Sequence, residues 1–558
     1  MEAARSSRFC DVVQFPALEV TLSQFQRRGC VLVLGTLLLL GTIQAASGQE
    51  RRRPDEARTG DQSAPDANKP DANKPESNKP EAIPPEKSSV THHDLDLDGK
   101  PLHYTATAGT LLIRDGEDDH PYGSIFYVAY TLDGADPNSR PVTFLYNGGP
   151  GSATIWLHMG SVGPVRVVTD SPKATGPGPY QIVPNQYSLL DKSDLVFIDA
   201  PLTGFSRAVG KGTPKDFTGV DQDLKAFDKF ILRYVTVNQR WNSPKYLFGE
   251  SYGTTRSAGL SATLQADGIS LNGIVLLSSI LNYNASSPGL DVESVGTLPS
   301  YAAIAWYYNK VQNKPADLKA YLKEVRAFAR GDYAEALAEG DGIATEHFDA
   351  IAAKVAQYTG LSAQYVKESN LRISATRFRK ELLRDEGDIL GRYDARFEGT
   401  DVDNAGEFPG YDPSDTGISG AFIAAFHDYL TRELKYETTD DYRPSANSIG
   451  EWDWHHRPAG GGGRGFGGQQ QMPYVAGDLA DTMRKNPKLK VFSANGMFDL
   501  ATPFFLTEQD LSHMMLSPEL RKNVEFGYYP SGHMVYLNVD ALKELKHDVA
   551  GFYTETGH

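Results

Sequence analysis

Five residues, Gly249-Glu250-Ser251-Tyr252-Gly253, constrain this chain more than any others. They follow the apolar run Tyr246-Leu247-Phe248 and precede a stretch, Thr254 to about Gln265, that reads as a helix. A serine on a strand–turn–helix junction needs a strained backbone, so residues without side chains must flank it where strand and helix nearly touch. The helix N-terminus behind the serine favours developing negative charge. The pentapeptide alone fits a glycine-rich turn with an incidental serine equally well, so its meaning depends on the rest of the chain.

The surrounding segments predict an α/β sheet. Leu102 to Arg114 and Ser124 to Leu132 alternate apolar and polar residues across a turn-rich segment, which predicts an antiparallel hairpin at a sheet edge. Val142 to Tyr146 is a buried strand that runs into Asn147-Gly148-Gly149-Pro150-Gly151, and Asp194 to Ile198 is another, ending at Asp199-Ala200-Pro201. A helix over about Gly219–Val235 precedes the elbow, and a strand over Gly273–Leu277 follows it. Late in the chain, strands at Leu489–Ser493 and Val524–Tyr529 end in loops bearing Asp499 and His533, before a closing helix from Val539 to about Tyr553. Such alternation places chemistry at the C-terminal ends of the strands.

Between these halves, roughly 283–484, helical periods dominate: Pro315–Phe328, Tyr333–Leu337, Ala344–Thr359 and Ile418–Tyr436, with aromatics dense over Tyr301–Tyr308. This predicts a helical insertion able to roof a site. The glycine-rich run Gly460–Gly468 reads as a loop and lacks the Lys-Ser/Thr of a phosphate cradle. The expected organisation is a leader over 1–48, a linker over 49–90, a first core segment over 91–282, the insertion over 283–484 and a second core segment over 485–558.

The leader reading rests on Arg27-Arg28, the apolar run Cys30 to Ile43 and the small residues of Gln44-Ala45-Ala46-Ser47-Gly48, which together resemble an export signal, cleaved or retained as an anchor. The apolar run falls short of the about 20 residues a comfortable membrane span needs, and no lipid-attachment cysteine follows it. Export places the mature chain in the periplasm or outside the cell. Three tandem five-residue units, from Asp66 to Pro80, cannot bury apolar surface and read as a solvated tether. Both cysteines, Cys10 and Cys30, fall in the leader, so the mature chain has neither disulfides nor a thiol nucleophile. A formal net charge of -16 argues against nucleic acid as a partner.

An activated serine needs a general base and a group that orients that base. Ser251, Asp499 and His533 follow three strands in the chain order that α/β-hydrolase topology produces. His513, His547 and Asp510 lie in helical stretches, where solvated surface roles are the expectation. The plainer alternatives, a helix-capping aspartate or a turn histidine, would have to coincide at successive strand ends.

With these motifs in view, the chain resembles the serine carboxypeptidase family, peptidase family S10. The resemblance rests on Asn147-Gly148-Gly149-Pro150-Gly151, on Asn185-Gln186-Tyr187-Ser188 through Asp199-Ala200-Pro201 and Gly204-Phe205-Ser206, and on Gly249–Gly253. Gly496-Met497-Phe498-Asp499 and Gly532-His533-Met534-Val535 complete it. It covers about 130–282 and 486–545, with the insertion matching weakly. It implies an α/β-hydrolase fold, a mostly parallel sheet with a helical cap, and removal of C-terminal residues from peptides and proteins without metal or organic cofactor. It further implies Ser251 as nucleophile, His533 as base and Asp499 as its orienting partner. The N–H groups of Gly149 and Tyr252 would form the oxyanion hole, while Asn147 and a protonated Glu250 would hold the substrate carboxylate. Two departures stand out: Leu145 replaces the family's tryptophan, and Ser161 falls where a second carboxylate normally faces the glutamate beside the nucleophile. These keep two alternatives open, an esterase or acyltransferase of the same fold and, less favoured because all three triad residues are present, a non-catalytic binding protein.

Overall fold

The structure, a computed structural model, describes residues 83–116, 118–446, 450–459 and 468–557. The expected leader, residues 49–82 of the expected linker and the glycine run over 460–467 lie outside the described residues. Among the described residues the central sheet has ten strands, nine of them in one continuous order: β1 (Ser88–Leu97), β2 (Lys100–Asp115), β3 (His120–Leu132), β4 (Val142–Tyr146), β5 (Asp194–Ile198), β6 (Lys245–Ser251), β7 (Gly273–Ser279), β8 (Lys490–Gly496) and β9 (Val524–Tyr529). Their spatial order is β1-β2-β3-β5-β4-β6-β7-β8-β9, with the short pair Arg207–Ala208 bonded beside β3. The pairs from β1 to β5 are antiparallel, and every pair from β5 to β9 is parallel.

The expected edge hairpin is present as β2 and β3, but it is not the edge. β1 pairs with β2 along its whole length, from Ser88 against Gly109 to Leu97 against Lys100. The sheet-bearing chain is also held ahead of the expected start at Thr91: Glu86 accepts the Leu112 N–H at 2.8 Å and meets Arg233 at 2.7 Å. Polar side chains such as His92 and Asp94 along β1 obscured its strand character in the sequence.

Helices cover both faces, and the strands alternate between them. In β5, Leu195 and Phe197 join one core while Val196 and Ile198 join the other. The first core is sealed by α1 (Ile155–Gly160) and the helices Ser419–Arg432 and Val539–Thr556; the second is sealed by α2 (Val220–Val237), α3 (Tyr252–Ala266) and the helix Ala476–Lys485. Strand alternation over two covered faces is what a sheet buried on both sides requires. A third apolar cluster is built on α4 (Val292–Tyr307) and the helices Leu318–Phe328 and Thr345–Thr359 of the insertion, and it takes in Met497, Phe498, Leu500, Phe504 and Phe505 from the second core segment. α4 runs through Pro299, a residue type that ordinarily breaks a helix interior. The insertion also holds a two-stranded ribbon, Asp388–Leu390 with Glu398–Thr400, which helical periodicity did not predict.

Sheet order fixes where a site can form. From β4 the chain crosses to β5 on one side, and from β6 it crosses to β7 on the other. The C-terminal ends of β4 and β6 therefore flank a crevice at a topological switch point. Asn147 follows β4 directly, and Ser251 ends β6.

Candidate active site

Ser251 sits at φ 61° and ψ -130°, between β6 and the first residue of α3. This left-handed backbone costs a non-glycine residue roughly 1–3 kcal/mol, and the surrounding packing holds it. A Cβ on Gly249 would meet the Gly253 carbonyl oxygen at 2.1 Å, and one on Gly148 would meet the Tyr252 nitrogen at 2.3 Å. The glycines thus let the β4 loop, the elbow and α3 come within backbone contact.

His533 and Asp499 come together as a buried pair, with Nδ1 at 2.8 Å from Asp499 Oδ2. Asp499 also accepts the backbone N–H groups of Ala501 (2.7 Å) and Thr502 (2.9 Å) and the Thr502 hydroxyl at 2.6 Å. Burial alone would raise its pKa, but the His533 charge and hydrogen bond, with the Thr502 donors, hold it below the usual carboxylate range. Burial disfavours the imidazolium of His533, yet the Asp499 carboxylate and its hydrogen bond, aided by Glu250, outweigh this and raise its pKa. The His533 loop is tied down by its own N–H to the Tyr393 carbonyl (2.6 Å) and by the Ser278 hydroxyl, which donates to the His533 carbonyl at 2.6 Å.

Ser251 and His533 line one cavity of about 650 Å³, together with Asn147, Gly149, Glu250 and Tyr252. All seven residues singled out from the sequence converge here, Asp499 through its bond to His533. Trp156, Tyr283 and Trp454 give the cavity apolar walls, and Arg392 and Asp415 come from the insertion. A larger hollow of about 1070 Å³, beside the helix Leu318–Phe328 and Tyr528, contains none of the seven. Among the described residues, no cluster of three His, Cys, Asp or Glu side chains is arranged to hold a metal ion.

Glu250 is fully buried, and burial pushes its pKa up to about 7 despite the opposing effects of His533, Tyr536 and Asn147. A second carboxylate is therefore not needed to raise it. Ser161 turns away from the site: its hydroxyl donates to the Leu157 carbonyl oxygen. Glu250 Oε1 instead accepts from the Tyr536 hydroxyl at 3.2 Å, while Oε2 has no partner. Leu145, at the family's tryptophan position, packs in the core rather than lining the cavity.

Asn147 is fixed at both ends. Its Oδ1 accepts the Leu157 N–H at 2.9 Å, and its backbone carbonyl accepts Arg256 Nη1 at 2.7 Å. Arg256, Thr502, Ser278 and Tyr536 were not singled out from sequence. Only Thr502 carried a local signal, an aspartate with a threonine three residues later, which is a turn-capping pattern.

The sheet order, the strained elbow and the Asp–His pair after the last strands define an α/β-hydrolase fold. Residues 102–290 match the family described as serine carboxypeptidase. A pheromone-processing carboxypeptidase KEX1 of Yarrowia lipolytica is 27% identical over 153 residues, covering 27% of this chain and 22% of the relative. The Saccharomyces cerevisiae protein of the same name is 31% identical over 156 residues, covering 26% of this chain and 20% of the relative. The chain thus spans about a fifth of the length of these relatives. Among solved structures, a prohormone-processing carboxypeptidase, Kex1(delta)p of S. cerevisiae, aligns at TM-score 0.49 and 17% identity, covering 81% of this chain and 91% of that one. A carboxyl esterase from Bacillus coagulans aligns at TM-score 0.31 and 13% identity, covering 81% and 99%.

Proposed function

We propose that this chain is an exported serine carboxypeptidase that releases C-terminal residues from peptides through an acyl-enzyme. The observation that carries the reading is the meeting, in one cavity, of a strained serine, a buried Asp–His pair and a buried carboxyl whose pKa lies near neutrality. In this reading the Ser251 hydroxyl attacks the last peptide carbonyl while His533 Nε2 takes its proton. Asp499 stays ionised and orients the ring through Nδ1. The N–H groups of Gly149 and Tyr252 receive the oxyanion. Collapse of the tetrahedral intermediate breaks the C–N bond, and His533 passes its proton to the departing amine. Water, deprotonated by His533, then attacks the acyl-enzyme and frees Ser251.

Terminal specificity falls to Asn147 and Glu250. A carboxylate substrate can accept a hydrogen bond from Glu250 only while Glu250 is protonated. Burial keeps it so up to about pH 7, which supports carboxylate binding in acidic to neutral solution. Export rests on the sequence before residue 49.

The test is chemical labelling. A fluorophosphonate should modify Ser251 alone, and Ser251→Ala should abolish both labelling and turnover while unfolding at the same temperature. Labelling elsewhere, or near-normal turnover in that variant, would overturn the proposal. An enzyme that hydrolyses esters as fast as peptides, whatever their C-terminus, would instead support the esterase alternative.

A further inference from the structure

Tyr536 follows His533 in the same loop, within the short helical turn Val535–Leu537. Its side chain is buried, and its hydroxyl donates to Glu250 Oε1 at 3.2 Å. Room for the ring comes from Gly160, where a Cβ would stand 2.5 Å from two of the Tyr536 ring carbons. Next to Gly160, Ser161 is occupied with the Leu157 carbonyl. Asn147, whose Oδ1 accepts the Leu157 N–H, favours the ionised form of both Tyr536 and Glu250.

This chain of contacts has a direction. The Tyr536 hydroxyl has one proton, and that proton goes to Glu250 Oε1. An oxygen that accepts there leaves the carboxyl proton to the other oxygen. Oε2, buried and without a partner, belongs to a residue that lines the cavity. We propose that Tyr536 is a positioning residue that replaces a second carboxylate: it occupies Oε1, so that protonated Glu250 presents its O–H from Oε2 to the terminal carboxylate of a peptide. The inference rests on the carboxypeptidase reading for its substrate, but not for the Tyr536–Glu250 pairing itself.

A neutral phenol acts differently from a carboxylic acid. Two carboxyls share a proton and repel when both ionise. A phenol does not ionise in the working range, so it donates at every pH and stabilises the carboxylate form of Glu250. Removing it should therefore raise the Glu250 pKa. The charged groups that also act on Glu250 are His533, which lowers its pKa, and Asp499, which raises it; both stay in place in the variants below.

The experiment follows the protonated carboxyl stretch of Glu250 in the full-length protein by infrared difference spectroscopy, assigned by its absence in Glu250→Gln. Tyr536→Phe should move its titration midpoint upward by roughly one pH unit. Replacing Tyr536 with 3-fluorotyrosine, a stronger donor of nearly the same shape, should move it downward, and this holds even if the phenylalanine variant folds poorly. Unchanged midpoints in the folded variants, or a wild-type midpoint in the ordinary carboxylate range, would overturn the proposal. In parallel, kcat/KM is compared for a peptide and its C-terminal amide. Tyr536→Phe should reduce the preference for the free acid several-fold, mainly through KM. If the wild type shows no preference at all, the carboxypeptidase reading fails, while the infrared midpoints still decide the pairing.

Discussion

Arg256 Nη1 donates to the backbone carbonyl oxygen of Asn147 at 2.7 Å, from a side chain with no solvent exposure. Its remaining donors grip Asp223, Nε to Oδ2 at 2.7 Å and Nη2 to Oδ1 at 3.0 Å, and the guanidinium lies 4.0 Å from the Phe227 ring centre. One buried cation thus ties the elbow helix α3, the neighbouring α2 and the loop after β4. Breaking such a pair costs about 3–5 kcal/mol, because it strands the partner charge. Arg256→Met should lower the unfolding free energy by that order and reduce kcat. Adding Asp223→Leu should restore stability in part and leave kcat low, since the Asn147 carbonyl still lacks its donor. Denaturant unfolding with parallel kinetics separates the two effects.

Gly148 has no room for a side chain against the Tyr252 nitrogen. In Gly148→Ala the loop must retreat from α3, carrying Gly149 away from Tyr252. Losing one aligned oxyanion donor costs about 10²–10³-fold in kcat. The variant should therefore lose at least that factor in kcat while still reacting, slowly, with a fluorophosphonate. Full activity would show that the loop does not set the donor geometry.

Glu250 and His533 influence each other's titration. In the proposed mechanism turnover needs neutral His533 and, for a free acid, protonated Glu250, so kcat/KM should be bell-shaped in pH with apparent values that belong to the pair. Glu250→Gln removes a negative charge that raises the His533 pKa, so the acidic limb should move to lower pH. It also removes a group that stops donating when ionised, so the alkaline limb should move to higher pH. Broadening on both sides is the expected outcome, read from the pH profile on a free-acid peptide.

Stability should decline as pH rises from about 5 to 9. Burial pushes Asp199 and Asp510 up to about 7, as it does Glu250, and burial with the neighbouring Asp267 takes Asp228 to about 7. A raised folded-state pKa gives stability that is whole below the unfolded value and lost as pH climbs through the folded one. His456 acts in the same direction: burial opposes its charge, but Asp221 (2.7 Å) and Asp478 (3.0 Å) raise it to about 9. Thermal unfolding should show its highest midpoint in mildly acidic buffer, and His456→Gln should flatten the fall between pH 7 and 9.

The parts of the site legible in the sequence are those written locally. Gly249–Gly253 encodes the positive φ of Ser251, and Asn147–Gly151 encodes a loop that must touch α3, because only glycine tolerates those contacts. Asp499 and His533 could be placed because each follows a readable strand. Arg256 could not, since a cation inside α3 looks like a solvated helix residue until Asp223 and Asn147 surround it. Tyr536 was equally hidden: its role depends on Gly160, Ser161 and Glu250, which lie far from it in the chain. In the fold, alternation showed β2 and β3, whereas polar-faced β1 and proline-bearing α4 are held by partners that no local pattern names.

The central claim is removal of residues from a free C-terminus by Ser251. Wild-type protein, Ser251→Ala and Asp499→Asn are incubated near pH 7 with one peptide as its free acid and its amide, and products are followed by mass spectrometry. The account predicts stepwise loss of single C-terminal residues from the free acid. The amide should be slower by a factor corresponding to roughly 1–3 kcal/mol of lost transition-state binding. It also predicts rates at least about 10³-fold lower in both variants. Internal cleavage, or equal trimming of acid and amide at every pH, would contradict it.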